Sequence, residues 1–397
     1  MHINCGRGRL VECPAMRHLP NRTPLAAPDA PVERGSGDSG HDPASRSETG
    51  EPSRSRTTSV FRRRVAVAVA SLALLGIPVA PAAAAAVPVM RISTENSAGH
   101  FQTRIVARFA ERLRDRLAGQ LMVEHRFDAE LYRDREVIQA VARGNVEMAV
   151  PGTWQFDRFE PSVGIFLLPM FYGRTSEVNY RLRDGPIGRE INDRIETRLG
   201  VRVPGRWIDL GYVHLYGVGR RIATHPDIAG KRVRVAGGLA NVLRLEAFGA
   251  NPMTIPWPDL PEALKTRRVD GILTSNATVV SARLWDYGVN STLQDQEYFA
   301  QYIPIVSEAF WRRLPEPVRR AVVETWDSVV DEARATAAAA QDEALATLVA
   351  HGVTVGSPGP EAQAGQRRRL TRHQDAMAAR LGIDPAFVKR VSDALGE

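Results

Sequence analysis

The chain has 397 residues, 44% hydrophobic and 24% charged, which is the composition of a globular protein long enough for two ordinary domains. Its net charge of +7 is concentrated at the front: residues 1–86 hold 11 arginines, no lysine and 7 acidic residues, leaving 41 basic and 38 acidic residues behind them. With no long Lys/Arg block, that balance excludes a nucleic-acid footprint, and Arg367-Arg368-Arg369 reads as a solvated helix face. Both cysteines, Cys5 and Cys13, also lie in the front segment. The body from Val87 onward therefore has no disulfide framework, thiolate metal site or cysteine nucleophile.

Residues 1 to about 58 are rich in Pro, Gly, Ser, Arg and Asp without apolar periodicity, a composition that predicts disorder. Arg62-Arg63-Arg64, the apolar run Val65–Pro78 and the small residues Ala80–Ala86 have the layout of a secretory signal peptide, predicted over 60–86. The apolar run is shorter than the ~20 residues of a membrane span. The expected start is near Val60, with 1–59 an extension of the gene model, the alternative being a real disordered extension or an uncleaved anchor; the expected location is the periplasm.

A strand is predicted at Val89–Ser93, followed by a polar loop Glu95–His100. Thr103–Leu117 is an amphipathic helix, with Ile105, Phe109 and Leu113 four apart. A strand at Leu121–Phe127, a helix at Arg135–Arg143 and a strand at Val146–Val150 complete a β-α-β-α-β lobe without a glycine fingerprint. Thr153–Ser162 reads as a loop or short helix, Ser176–Leu199 as a helix broken at Gly185-Pro186, and Val201–Trp207 and Tyr212–Val218 as strands. Lys231–Val235 alternates, with Val233 and Val235 on one face and Arg232 and Arg234 on the other. A helix through Leu239–Ala247, closed by Gly249, an extended Pro252–Pro258, a helix Leu260–Lys265 and a strand Val269–Leu273 make this a parallel β-α-β unit. Arg234 then points either into the crevice where α/β sheets bind ligands or out from an edge strand. Ser281–Tyr287 is predicted helical and Tyr298–Val306 a strand. A long helix runs from Pro315 to about His351 on the stripe Val318, Val322, Trp326, Val329, Val330 and Ala333. Val353–Val355 is a short strand, and helices around 360–381 and 384–395 finish the chain.

No GxSxG, HExxH, P-loop or GxGxxG occurs, and none of the body's histidines has metal-ligand spacing. Asp134 and Glu136 read as a solvated acidic pair. The residues therefore predict no enzyme, no cofactor and no metal.

The helix ending in Ala142-Arg143-Gly144-Asn145-Val146-Glu147-Met148, the run Leu167–Phe171, the segment His225–Val235, Pro256–Leu264, Val269-Asp270-Gly271 and Phe310–Pro315 follow in an order that resembles the periplasmic solute receptors of TRAP transporters, the DctP type, over most of residues 88–355. The resemblance implies an α/β, two-lobed periplasmic binding protein fold (type II-like) with a long bracing helix. One lobe would comprise 88–212 plus about 300–350, the other 213–299 plus part of the C-terminal helices. It implies capture of an organic acid in the cleft between them and delivery to TRAP membrane permease subunits; a receptor for an ABC importer or a signalling system is the alternative, with a secreted α/β enzyme behind it. It gives Arg234 the substrate carboxylate, held bidentately. Trp257 would cover the substrate, although a packing role fits the same residue. Thr274, Ser275 and Asn276 would supply polar contacts, with a turn or cap as the other role of the last two. Glu95, Asn96, Thr153 and Trp154 lie on two further ligand-lining loops. Many members carry a second arginine just after a glycine where this chain has Val213 or His214. His214 is thus a candidate ligand contact, and the ligand's charge and size do not follow from the resemblance.

Overall fold

A computed structural model describes residues 86–396, so the predicted disordered segment and nearly all of the predicted signal peptide lie outside the described residues. The strands are β1 (Val89–Ser93), β2 (Met122–Arg126), β3 (Met148–Ala149), β4 (Val201–Arg202), β5 (Ile208–Val218), β6 (Arg232–Val235), β7 (Asn251–Thr254), β8 (Gly271–Thr274), β9 (Val289–Tyr302), β10 (Ile305–Ser307) and β11 (Thr354–Gly356). They form two sheets. One has five strands in the order β2-β1-β3-β10-β4, the other six in the order β11-β9-β5-β8-β6-β7. The architecture is α/β and two-lobed, with one sheet per lobe.

In the first lobe the alternation of β1 buries Met90 and Ile92, and helix Phe101–Arg116 buries Ile105, Phe109 and Leu113 as their spacing predicts. In the second, β6 lies between β8 and β7 and is parallel to both, so it is an interior strand rather than an edge. The extended, turn-rich stretch at Pro252 contains β7. This strand is at the edge of its sheet, where a proline's missing N–H is tolerated.

Two long strands carry the chain between lobes. β5 begins four residues before the predicted Tyr212, and β9 begins at Val289 rather than Tyr298. They pair antiparallel from Ile208↔Tyr302 to Val218↔Val289. The first end is fastened to the first lobe by the bridge Gly152↔Tyr302 and the bond from Ile303 N–H to the Pro151 carbonyl at 3.0 Å. The other end lies inside the second lobe's sheet. Asn290–Glu297 escaped the sequence reading because polar residues there are covered from both sides by neighbours distant in sequence; Thr292, Asp295 and Glu297 are all buried.

The helix predicted from Pro315 spans Glu316–Ala350, 35 residues, or about 50 Å at 1.5 Å per residue. Arg116 on helix Phe101–Arg116 donates to Thr325, and its other nitrogen pairs with Glu324. Further along, Gln341 donates to the Leu210 carbonyl at 2.6 Å and accepts the Ala277 N–H at 3.0 Å. One helix thus braces the first lobe, the connecting strand β5 and the second lobe's helix Asn276–Ser281. The last two predicted helices are three, because the first breaks at Arg372-His373. No described helix is long and apolar enough to cross a membrane.

Trp326 fastens the long helix. Its ring is fully buried, meets Phe109 edge-on at 5.2 Å between centroids, and its N–H donates to the Arg206 carbonyl at 2.8 Å. Trp326→Ala is expected to cost about 3–5 kcal/mol of stability from lost burial and the residual cavity. Denaturant unfolding checks this; a loss under about 1 kcal/mol would assign the bracing to other contacts.

Candidate functional site

β6 carries two arginines on one side, and their surroundings separate them. Arg232, at the exposed end, forms a two-nitrogen pair with Asp270, Nη2–Oδ1 at 2.9 Å and Nε–Oδ2 at 3.0 Å. Arg234, two residues on, is 1% exposed. Its Nε donates to the Ile255 carbonyl at 2.8 Å, and its Nη2 has no partner. Burial lowers its pKa to about 10, against the pull of Asp134 and Glu95. The guanidinium therefore stays cationic at neutral pH.

This guanidinium reaches a cavity between the lobes with about 480 Å³ of atom-free space, its open mouth included. Glu95, Asn96, Asp134 and Trp154 contribute the first-lobe wall. Ala236, Asn241, Trp257, Leu273, Thr274 and Thr278 form the opposite wall. The floor belongs to the connecting strands: Leu210 and Val213 from β5, Tyr298 and Tyr302 from β9. Asn96 spends both amide hydrogens, on Gln102 at 2.8 Å and on the Tyr302 hydroxyl at 2.9 Å. Trp154 packs edge-on against Tyr302 at 5.5 Å, with its buried N–H unpartnered.

Six of the sequence-predicted site residues line the cavity: Arg234, Trp257, Thr274, Glu95, Asn96 and Trp154. Four do not. Ser275 caps helix Asn276–Ser281, its hydroxyl accepting the Thr278 N–H at 3.2 Å. Asn276 accepts from the Tyr216 hydroxyl and donates to Gln294 at 3.1 Å. Thr153 opens a buried single turn, Thr153–Gln155. His214 serves the backbone of β9: between the pairs Val213↔Tyr298 and Leu215↔Leu293 that strand bulges, Gln296 has φ +55°, and its N–H donates to His214 Nδ1 at 3.2 Å. Burial pushes the His214 pKa down to about 4, so the ring is neutral at physiological pH. At the place where the resemblance offers an arginine, the cavity receives the aliphatic Val213.

Asp134 corrects the sequence reading most sharply. Rather than a solvated surface carboxylate, it is 1% exposed. The chain at Arg133-Asp134 turns beneath the second lobe, where Asp134 Oδ2 accepts the Trp257 N–H at 3.1 Å; Oδ1 has no partner. Glu95 accepts from Gln155 at 2.9 Å. Burial first, and the Asp134 charge second, raise the Glu95 pKa well above the carboxylate range; Arg234 and Gln155 oppose the shift.

At the amino end of helix Leu239–Ala247, Asp157 of the first lobe accepts the Leu239 N–H. The small residues before that helix serve the same approach: Gly238 has φ +87°, and a Cβ there would lie 3.2 Å from Leu167 and 3.4 Å from Trp154. Arg133 and Asp259 add an exposed pair across the mouth at 2.5 Å. The lobes are therefore closed on one another. Asp134, Asn241, Thr278, Tyr298 and Tyr302 are the polar lining residues the sequence reading missed. The two tyrosines alone left a signal, since residues four apart in a strand share a face.

Residues 92–380 match the family described as bacterial extracellular solute-binding protein, family 7. Among curated proteins, the chain is 23% identical over 290 residues to the C4-dicarboxylate-binding periplasmic protein DctP of Rhodobacter capsulatus, covering 72% of this chain and 86% of that protein. It is 22% identical over 266 residues to the 2,3-diketo-L-gulonate-binding periplasmic protein YiaO of Escherichia coli, covering 67% and 80%. Among solved structures, a TRAP periplasmic solute-binding protein of Sulfurospirillum deleyianum with bound succinate superposes with a TM-score of 0.71 at 22% identity, over 77% of this chain and 98% of that one. The sugar-acid-binding protein DctPAm of Advenella mimigardefordensis with galactonate gives 0.71 at 20% identity, over 78% and 97%.

A carboxyl whose pKa is raised by folding binds its proton more tightly in the folded state. Its linkage term therefore lowers stability as pH rises from the unfolded pKa of about 4.3 through the raised one. Removing the Glu95 charge by Glu95→Gln should relieve that loss. Without ligand, parent and variant are expected to melt together near pH 4, and the variant higher at about pH 8. A parent that melts as high as the variant at the upper pH would show that Glu95 is not raised.

Proposed function

Since the chain belongs to family 7 of the bacterial extracellular solute-binding proteins, we propose that it is the extracytoplasmic receptor of a TRAP transporter, taking an organic acid into the closed cavity and handing it to a membrane permease. The observation that carries this reading is the buried Arg234 guanidinium, cationic, held by one backbone carbonyl and with Nη2 unpartnered at the cavity. A carboxylate matches the planar fork of a guanidinium and supplies the missing acceptors. Relatives and structural neighbours that hold succinate, galactonate or 2,3-diketo-L-gulonate support the same ligand class.

In this mechanism the receptor performs no covalent chemistry. The lobes part by bending in the β5–β9 ribbon, the acid enters, and closure brings Trp257, Asp134 and Trp154 over it. Trp257 and the floor residues Leu210 and Val213 cover the ligand's carbon skeleton, while Thr274 stands ready for a polar substituent. The predicted segment at 60–86 directs export to the periplasm. Transport energy enters through the permease partner, from an ion gradient.

Charge-assisted hydrogen bonds of this kind are worth on the order of 1.5–3 kcal/mol. Lysine reproduces the charge and not the fork. Arg234→Lys is therefore expected to weaken binding of a carboxylate ligand found by an organic-acid screen by at least about tenfold, equivalent to about 1.4 kcal/mol. Titration calorimetry measures this, with circular dichroism as the control for folding. Undiminished affinity in the folded variant would remove Arg234 as the anchor.

A further inference from the structure

The charges on the cavity wall do not suit a ligand with two carboxylates. Arg234 is the cation there; Glu95 and Asp134 bring two carboxyl groups, near enough for each to act on the other and on the guanidinium. The neighbouring ring His100, bonded to the wall residue Thr278, has its pKa pushed down to about 3 by burial and supplies no second cation. Asp134 matters most: its side chain is buried, Oδ2 is occupied by the Trp257 N–H, and Oδ1 has nothing to accept from. A buried carboxylate oxygen without a donor is costly, and among the described residues no group donates to it. A ligand donor would satisfy it, and a cationic donor would also offset the second carboxyl at Glu95.

We infer that the ligand is a compact zwitterion, a monocarboxylate bearing a cationic nitrogen, with its carboxylate on Arg234 and its nitrogen on Asp134 and Glu95. This rests on the reading that Arg234 holds a carboxylate. A second carboxylate in place of the nitrogen would face Asp134 at its own sign and would oppose the ionisation of Glu95. A hydroxyl would satisfy Asp134 without offsetting its charge. Glu95, raised in the empty cavity, would ionise as the cation arrives, so the wall adapts to this ligand and resists a diacid.

The test uses the full chain and chain-matched probes that differ at one end: succinate, 4-hydroxybutanoate and 4-aminobutanoate, then glutarate, 5-hydroxypentanoate and 5-aminopentanoate. Within each series the amino acid is expected to bind at least about tenfold more tightly than the diacid by calorimetry. Asp134→Asn and Glu95→Gln, each checked for folding by circular dichroism, are expected to shrink that preference by about tenfold. The inference is overturned if the diacid or hydroxy acid binds as tightly as the amino acid, if neither variant changes the preference, or if no probe binds. Arg234→Ala separates this from the broader reading. Diacid binding that is lost in Arg234→Ala leaves the carboxylate anchor standing while the zwitterion falls. If 1-aminobutane binds as well as 4-aminobutanoate and Arg234→Ala changes nothing, the carboxylate anchor falls as well.

Discussion

A guanidinium withdrawn from water must be surrounded by acceptors, and around Arg234 the protein supplies fewer than the group can use. The contrast with Arg244 makes the point. That side chain is also fully buried, but its nitrogens reach Glu297 on β9, the Leu167 carbonyl at 2.6 Å and Asn241 at 2.8 Å, three separate segments. Arg244 is therefore a structural tie, complete without a ligand. Arg183 is also buried and leaves Nη2 unpartnered, but its charge is met by Asp209 at 2.6 Å. Arg234 has one carbonyl and a cavity. Its place in the middle of a parallel trio of strands fixes the backbone on both sides, so the side chain cannot escape to solvent by a slip of the strand.

The cavity floor lies on the strands that join the lobes. Leu210, Val213, Tyr298 and Tyr302 belong to the same ribbon whose bending would open the cleft. Gln341 of the long helix holds that ribbon at Leu210 and reaches helix Asn276–Ser281 beside it. On the proposed function, binding and lobe movement would be mechanically joined: a ligand resting on the floor would press on the ribbon that bends.

Much of this was legible in the sequence because it is periodic or local. The β6 unit, the stripe of the long helix and the broken helix at Gly185-Pro186 all follow from spacing and from turn chemistry. Arg234 and Trp257 reach the cavity as the family resemblance implies. Residues adjacent in the chain part ways at the cavity. Thr274 and Thr278 line the cavity while Ser275 and Asn276, between them, turn to a cap and to Tyr216. Val213 faces the cavity and His214 the opposite side, toward the bulge at Gln296. A strand or helix start presents successive residues to different neighbours, and a motif match does not fix which one faces the ligand. Asp134 could not be read at all, since its partner Trp257 belongs to the other lobe.

The bond from Leu239 to Asp157 has a consequence for traffic at the membrane. It joins the lobes through protein groups alone, so it favours the shut form whether or not cargo is inside. Burial raises the Asp157 pKa, so the carboxylate at this contact also carries a cost of desolvation. A receptor of this kind is not a spring held open until loaded. On the proposed function it would spend part of its time shut and vacant, and a permease that recognised the shut outline would meet vacant molecules as competitors of loaded ones. Uptake would then fall off when receptors greatly outnumber solute, and the abundance of the receptor becomes a quantity the cell has reason to limit.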